Sequence, residues 1–204
     1  MKSSTIYKEW LNSIPQTQGY LKKEQLRGRK FLLEKGMPSN KDEAWRLSNL
    51  NSLNNFFSLP AVIDSDNIKS VFPEKEKNRE RIVIHPNRSP VLDVNLPEGV
   101  ENMNYREIEE NLGTIVNSTN IKNDVSVCLN QASSLEILAL KVKSNSNQSL
   151  EIVIPSVEDK SISTRILLLI EEGAKLDLLQ IFLGNRNSAQ NHLTEIKLES
   201  NSEL

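Results

Sequence analysis

The sequence predicts a mainly β protein with a helical N-terminal region, and three observations predict it. Up to about residue 60, apolar residues recur at helical steps of three and four, with Gly and Pro between the segments. Beyond residue 80, short segments rich in Ile, Leu and Val alternate with turn-forming residues. The last five such segments begin at Leu135, Leu150, Arg165, Leu176 and His192, a nearly regular spacing. Spacing of this kind fits a sandwich, a barrel or a solenoid of stacked coils. Two features favour the solenoid. The Asn-Gly or Asp-Gly pairs of tight hairpins are missing between the strands. Ile166–Ile170 is apolar on both faces, as buried strands are. A sandwich stays compatible with the same spacing.

The first helix is expected over residues 5–14, where Ile6, Trp10 and Ile14 share a face, and Pro15 ends it. Trp10 reads as a packing anchor. A second helix runs from Tyr20 to Lys35, with Leu21, Gln25, Gly28 and Leu32 near one stripe. Gly36 stops it and Pro38 prevents its resumption. Ser39 or Asn40 then caps a short turn with Asp42 and Glu43 in its first positions, where the helix dipole favours negative charge. The corner Gly36–Arg46 is thus a structured hinge, with Trp45 expected to anchor the helical region against the sheet region. The segment 47–59 is apolar at steps of about three (Leu47, Leu50, Leu53, Phe56, Phe57, Leu59) and is expected to dock on a core. Residues 64–80 mix charges around Pro73 and read as an exposed connector.

A domain boundary is therefore placed at residue 80, with a helical region and connector over 1–80 and a sheet domain over 81–204. In the second part, strands are expected at Arg81–His85 and Val91–Val94, stopped by Pro86 and Pro97. A short helix follows over Tyr105–Gly113. Val125–Leu129 fits either strand or helix. The five regular strands are Leu135–Val142, Leu150–Ile154, Arg165–Ile170, Leu176–Phe182 and His192–Leu198.

Totals narrow the function classes. Hydrophobic residues at 37% and charged residues at 25% place the chain outside the disordered range. The net charge of -2 implies no strong global attraction to nucleic acid or membranes. Residues 1–80 hold 14 basic and 10 acidic side chains, a net of +4, and the remaining 11 and 17 give -6 for residues 81–204. Cys128 is the single cysteine, which fits a reducing, cytoplasmic setting. No apolar run approaches the roughly 20 residues that span a bilayer. The start of the chain lacks the apolar stretch of a secretory signal.

Catalytic signals are sparse, and no catalytic, cofactor-binding or metal-binding residue is assigned. His85 and His192 lie far apart and outside any metal-ligand spacing. His85 reads as a strand-end residue and His192 as a polar strand residue. Cys128 reads as a buried, inert thiol. Glu171-Glu172 beside Gly173 reads as a turn, because adjacent strand residues face opposite sides. Arg27-Gly28-Arg29-Lys30 is basic enough for an anion site but lacks a Gly-rich phosphate loop, so a solvated helix face is expected. No Walker loop or Gly-x-Ser-x-Gly elbow occurs.

Taken together, Gly36-Met37-Pro38 followed by Lys41–Arg46 and Leu50 resembles the N-terminal region of the SufD family of iron–sulfur cluster assembly proteins. Later segments are similar in family order: Leu129–Ala132, Ile170–Ala174, Phe182-Leu183-Gly184, and Asn191–Leu198. The resemblance implies short helices followed by a right-handed parallel β-helix, here truncated. It also implies a non-catalytic scaffold role beside SufB-like and SufC-like partners, with ATP hydrolysis left to the latter. An iron–sulfur cluster would then arise only in the full complex, with no cofactor held by this chain alone. Family members continue through more coils, and the residues implicated in cluster formation lie there, so none transfers to a position here. An open sheet end is expected to pair with another molecule, including a second copy, or to fray. A β-solenoid carbohydrate-active enzyme or binding module is the alternative reading.

Overall fold

A computed structural model describes residues 3–63, 72–84 and 96–204. His85, the strand expected at Val91–Val94 and the first part of the expected connector lie outside the described residues. Helix α1 (Ser3–Ser13) and helix α2 (Tyr20–Lys35) form where the apolar periodicity places them. The buried stripe of α2 includes Leu21, Gln25, Gly28 and Leu32, as the spacing predicts. Gly36 ends α2 with φ 75°, donating its N–H to the Leu32 carbonyl at 2.9 Å. A single 3-10 turn, Glu43–Trp45, follows Asp42, whose carboxylate accepts from the Ser39 N–H at 2.6 Å. Helix α3 (Leu50–Ser58) begins at Asn49, which accepts from the Asn51 N–H at 3.0 Å. It docks through Phe56 and Phe57, whereas Leu47, expected to share that role, is 94% exposed.

Among the described residues, the strands form two open sheets. In one, β1 (Glu80–Val83), β4 (Asn147–Pro155) and β6 (Lys175–Leu183) lie in the order β1-β4-β6, all parallel. In the other, the order is β2-β3-β5-β7, built from Val100–Asn102, Ile137–Val142, Ser161–Ile170 and Ala189–Leu198. Strand β2 is antiparallel to β3, and the remaining pairs are parallel. From β3 to β7, consecutive strands alternate between the sheets. Ile137 sits opposite Arg165, Asn147 opposite Lys175, and Ser161 opposite Ala189, so the step between paired strands is constant. It is the same 28 residues that separate Asp159 from Asn187, whose Nδ2 donates to the Asp159 carboxylate at 2.7 Å.

The turns keep the same beat. Asn145, Asp159, Gly173, Asn187 and Asn201 all have φ between 45° and 68°, and each follows the last by half that step. Asn, Asp and Gly tolerate this left-handed conformation best, which is why they recur there. The first three of these turns each hydrogen-bond to the turn one full step further along the chain. Asn145 N–H donates to the Glu172 carbonyl at 3.1 Å, Asp159 N–H to Arg186 at 3.3 Å, and Gly173 N–H to Ser200 at 3.0 Å.

An aliphatic core fills the space between the sheets, with Leu138, Leu140, Ile166 and Leu168 from one and Leu150, Ile152 and Ile154 from the other. The opposite face of β3 and β5 is also apolar. There Ile137, Ala139, Leu167 and Leu169 meet Leu21 of α2 together with Ile108 and Leu112. Covering by helices thus explains why Ile166–Ile170 is apolar on both faces.

Among the described residues, three further α-helices lie beyond residue 80: α4 (Tyr105–Asn111), α5 (Thr114–Ser118) and α6 (Val125–Ser133). The chain is therefore a mixed helix-and-sheet protein rather than a mainly β one. Asn104 and Glu107 form a reciprocal capping box at the start of α4. The Asp124 carboxylate accepts from the Ser126 N–H at 2.7 Å, so the segment at Val125–Leu129 is a helix. Its residues Val125, Cys128, Leu129 and Ala132 share one core with Tyr7, Trp10, Leu11, Leu32, Phe56 and Phe57. The helical layer draws on both sides of residue 80, and the composition break there does not bound a core.

Gly28 sets the distance between α2 and α6. A Cβ at that position would lie 2.4 Å from the Cys128 carbonyl oxygen and 2.7 Å from the Ala132 nitrogen. Both are backbone atoms, so neither can rotate away. Gly28→Ala is expected to cost about 3 kcal/mol in overpacking, offset by about 1 kcal/mol of helix propensity. Urea unfolding should show a net loss of about 2 kcal/mol, and a stabilised variant would refute the close crossing.

All ten residues of β7 register with β5, and Glu203 bridges to Lys175, so the C-terminal segment is held by its own chain rather than frayed. Among the described residues, β6 and β7 each form one edge of their sheet, with β1 and β2 at the opposite edges.

Candidate functional site

The corner singled out in the sequence meets the edge strand β7 at a cavity of about 310 Å³. Trp45 closes one side, α3 contributes Phe56 and its cap Asn49, α6 contributes Ser126 and Leu129, and β7 contributes Gln190, Asn191 and His192. Side-chain amides clip β7 onto α6. Asn191 Nδ2 donates to the Ser126 carbonyl at 3.0 Å, and Asn130 Nδ2 donates to the Asn191 carbonyl at 3.1 Å. Trp45 itself is only partly buried against the helical core. The fully buried tryptophan is Trp10, whose Nε1–H donates to Ser161 Oγ at 3.0 Å.

His192 stands at the seam of the two sheets. Its ring lies 4.7 Å from the ring of Phe182 on β6. Its Nε2 is 2.9 Å from Gln190 Oε1, an acceptor, so Nε2 carries the proton. Nδ1 is left as a buried lone pair with no hydrogen-bond partner among the described residues. Burial pushes the imidazole down to about 4, so it is neutral at pH 7. Beside it, Gln180 Nε2 donates to Thr194 Oγ at 3.0 Å. Gln180 pairs with Ile152 and Thr194 with Ile166, so the space between the sheets turns from aliphatic to polar at this edge.

The other residues weighed from sequence do not converge on this cavity. Cys128 is buried, burial pushes its thiol up to about 11, and its Sγ lies 3.5 Å from the Lys122 carbonyl, as befits an inert thiol. Glu171 accepts from Ser144 N–H and Oγ at 3.0 and 3.1 Å, and Glu172 is exposed in the turn. In the basic cluster, Arg27 donates to Asn117 and to the Lys122 carbonyl, while Arg29 donates to the Ile14 carbonyl. Those guanidinium groups fasten α2 to its neighbours. Among the described residues, no group of three or more His, Cys, Asp and Glu side chains is placed to hold a metal ion. No described helix is long and apolar enough to cross a membrane.

Sequence reasoning missed a buried charge cluster between the helices and the sheet. Arg165 is 1% exposed and pairs with Glu195 of β7 and, at 3.5 Å, with Glu24 of α2. Glu195 also accepts from the Gly113 and Val116 N–H groups at 3.1 and 3.3 Å. Glu24 accepts from Gln131 Nε2 at 2.6 Å. The signal in the sequence is a lone arginine set against the apolar run Ile166–Ile170.

Fold and site together define a layered protein: helices packed on one of two open, mainly parallel sheets, with a mixed polar and aromatic notch at the sheet edge. No family model matches the chain, and no curated protein matches it.

Proposed function

We propose that the chain is a non-catalytic scaffold subunit of a Suf-type iron–sulfur cluster assembly complex, with a SufB-like and a SufC-like protein as partners. The observation that carries this reading is the constant 28-residue step between the parallel strand pairs from β3 to β7, which lie behind N-terminal helices. A step of this kind supports the reading because the β-helix that the SufD-like resemblance implies would have one. On this reading the sheets form a parallel β-helix, right-handed as about 98% of parallel crossovers are. The edge strands β6 and β7 are the surface on which a further strand pair would add, from a partner or a second copy. The notch at Trp45 and His192 borders that edge. The cluster itself forms in the assembled complex, in the cytoplasm, with no ligand assigned to this chain.

Co-expression tests it. The chain, extended to the full open reading frame if its coding sequence continues past Leu204, should co-purify in fixed stoichiometry with SufB-like and SufC-like proteins of the same genome. Loss of that complex on introducing prolines into β7 would follow from edge pairing. A full-length protein that elutes alone in their presence overturns the proposal.

A further inference from the structure

A second cleft, of about 440 Å³, opens between the loop 15–18, the first turn of α2, Ile63 and the residues Leu135 and Glu136 just before β3. Glu136 is the only charged residue in its lining among the described residues. Among those same residues its carboxylate has no ion-pair or hydrogen-bond partner, and burial raises its affinity for a proton. Tyr20 lines the same cleft, and the proximity of Glu136 helps to raise its hydroxyl above the usual range, after burial. Thr17 Oγ is buried without a partner among the described residues. The amides of Gln16 and Gln18 complete the rim. The loop is held in place from beneath: Gln25 accepts from the Thr17 N–H at 2.9 Å and donates to the Pro15 carbonyl at 2.8 Å.

A partly buried carboxylate with no cation beside it among the described residues is unfavourable by itself, and the polar groups that line the cleft with it can each accept a hydrogen bond. A single carboxylate is too few ligands for a divalent ion. An ammonium head matches better, because it supplies one positive charge and three donors to carboxylate, phenol, hydroxyl and amide oxygens. We propose that this cleft binds a small organic cation through a primary ammonium group, held by Glu136 and oriented by Tyr20 and Thr17. This site is separate from the scaffold surface and stands or falls independently of it.

The test is an amide NMR titration of the chain with n-butylammonium, with 1-butanol and glucose as neutral probes. Saturable shifts should appear at Thr17, Tyr20 and Glu136 with the ammonium alone. Glu136→Gln should weaken binding by about tenfold or more, and Tyr20→Phe by less, while both variants keep the spectrum of a folded chain. Absence of saturable shifts overturns the proposal. Equal binding by Glu136→Gln, or by either neutral probe, overturns it too.

Discussion

Arg165→Ala is expected to destabilise the protein by about 3–5 kcal/mol, because it strands buried carboxylates without their cation. Arg165 and Glu195 are each 1% exposed, and Glu24 is nearly as deep. The three side chains come from β5, β7 and α2, so the cluster ties the helical layer to two neighbouring strands. The two acids are not equivalent. Glu195 takes two backbone N–H groups of the α5 segment as well as the guanidinium. Glu24 takes the long limb of the pair and one amide from Gln131, whose Oε1 is buried without a donor among the described residues. Glu24→Gln brings an amide donor beside that oxygen and should cost about 1 kcal/mol or less. Glu195→Ala should cost about as much as Arg165→Ala. Urea unfolding followed by circular dichroism measures all three. A loss below about 1 kcal/mol for Arg165→Ala would show that the cluster contributes specificity rather than stability.

Helices were the more legible part of the sequence, because their signals are local. The bounds of α2 follow from its apolar stripe and from Gly36. Val125–Leu129 resisted because Val125, Val127 and Leu129 alternate as a strand would, and every residue of α6 except Ser126 is buried, which erases helical amphipathicity. The constant step between paired strands was present but obscured. Counting from the start of each expected segment gives steps of 15, 15, 11 and 16 residues, which only approach a period, since inward and outward positions are both apolar in β5 and blur where a strand begins. The left-handed turn residues Asn145, Asp159, Gly173, Asn187 and Asn201 carry the period cleanly. Turns keep register where strand ends drift. The site was less legible. Gly28 lies on the predicted stripe of α2 as well as in the basic cluster, but only its contact with Cys128 and Ala132, far along the chain, shows that it must be small. The same separation hides the partners of Arg165 and the surroundings of Glu136.

The two tryptophans should separate sharply. The corner motif makes Trp45 the expected anchor between helices and sheet, but its ring is only partly buried and lines a cavity. Trp10 has the anchor geometry instead. Its ring lies 5.1 Å from Phe56 and 5.3 Å from Phe57. Its Nε1–H reaches Ser161 at the first residue of β5, and Ser161 Oγ in turn donates to the Leu59 carbonyl at 3.2 Å. One side chain thus joins α1, α3 and β5. Trp10→Ala removes a buried bicyclic ring and should cost about 3–5 kcal/mol. Trp10→Phe keeps most of the packing and loses the hydrogen bond, for about 1 kcal/mol beyond the volume change. Trp45→Ala should cost about 1 kcal/mol, because a partly exposed ring surrenders only part of its transfer free energy. Each alanine variant leaves one tryptophan as reporter. Trp45→Ala should retain blue-shifted emission from buried Trp10, and Trp10→Ala should leave the red-shifted emission of a partly wet ring. If Trp45→Ala proves the costlier of the two, the load passes through the corner and not through Ser161.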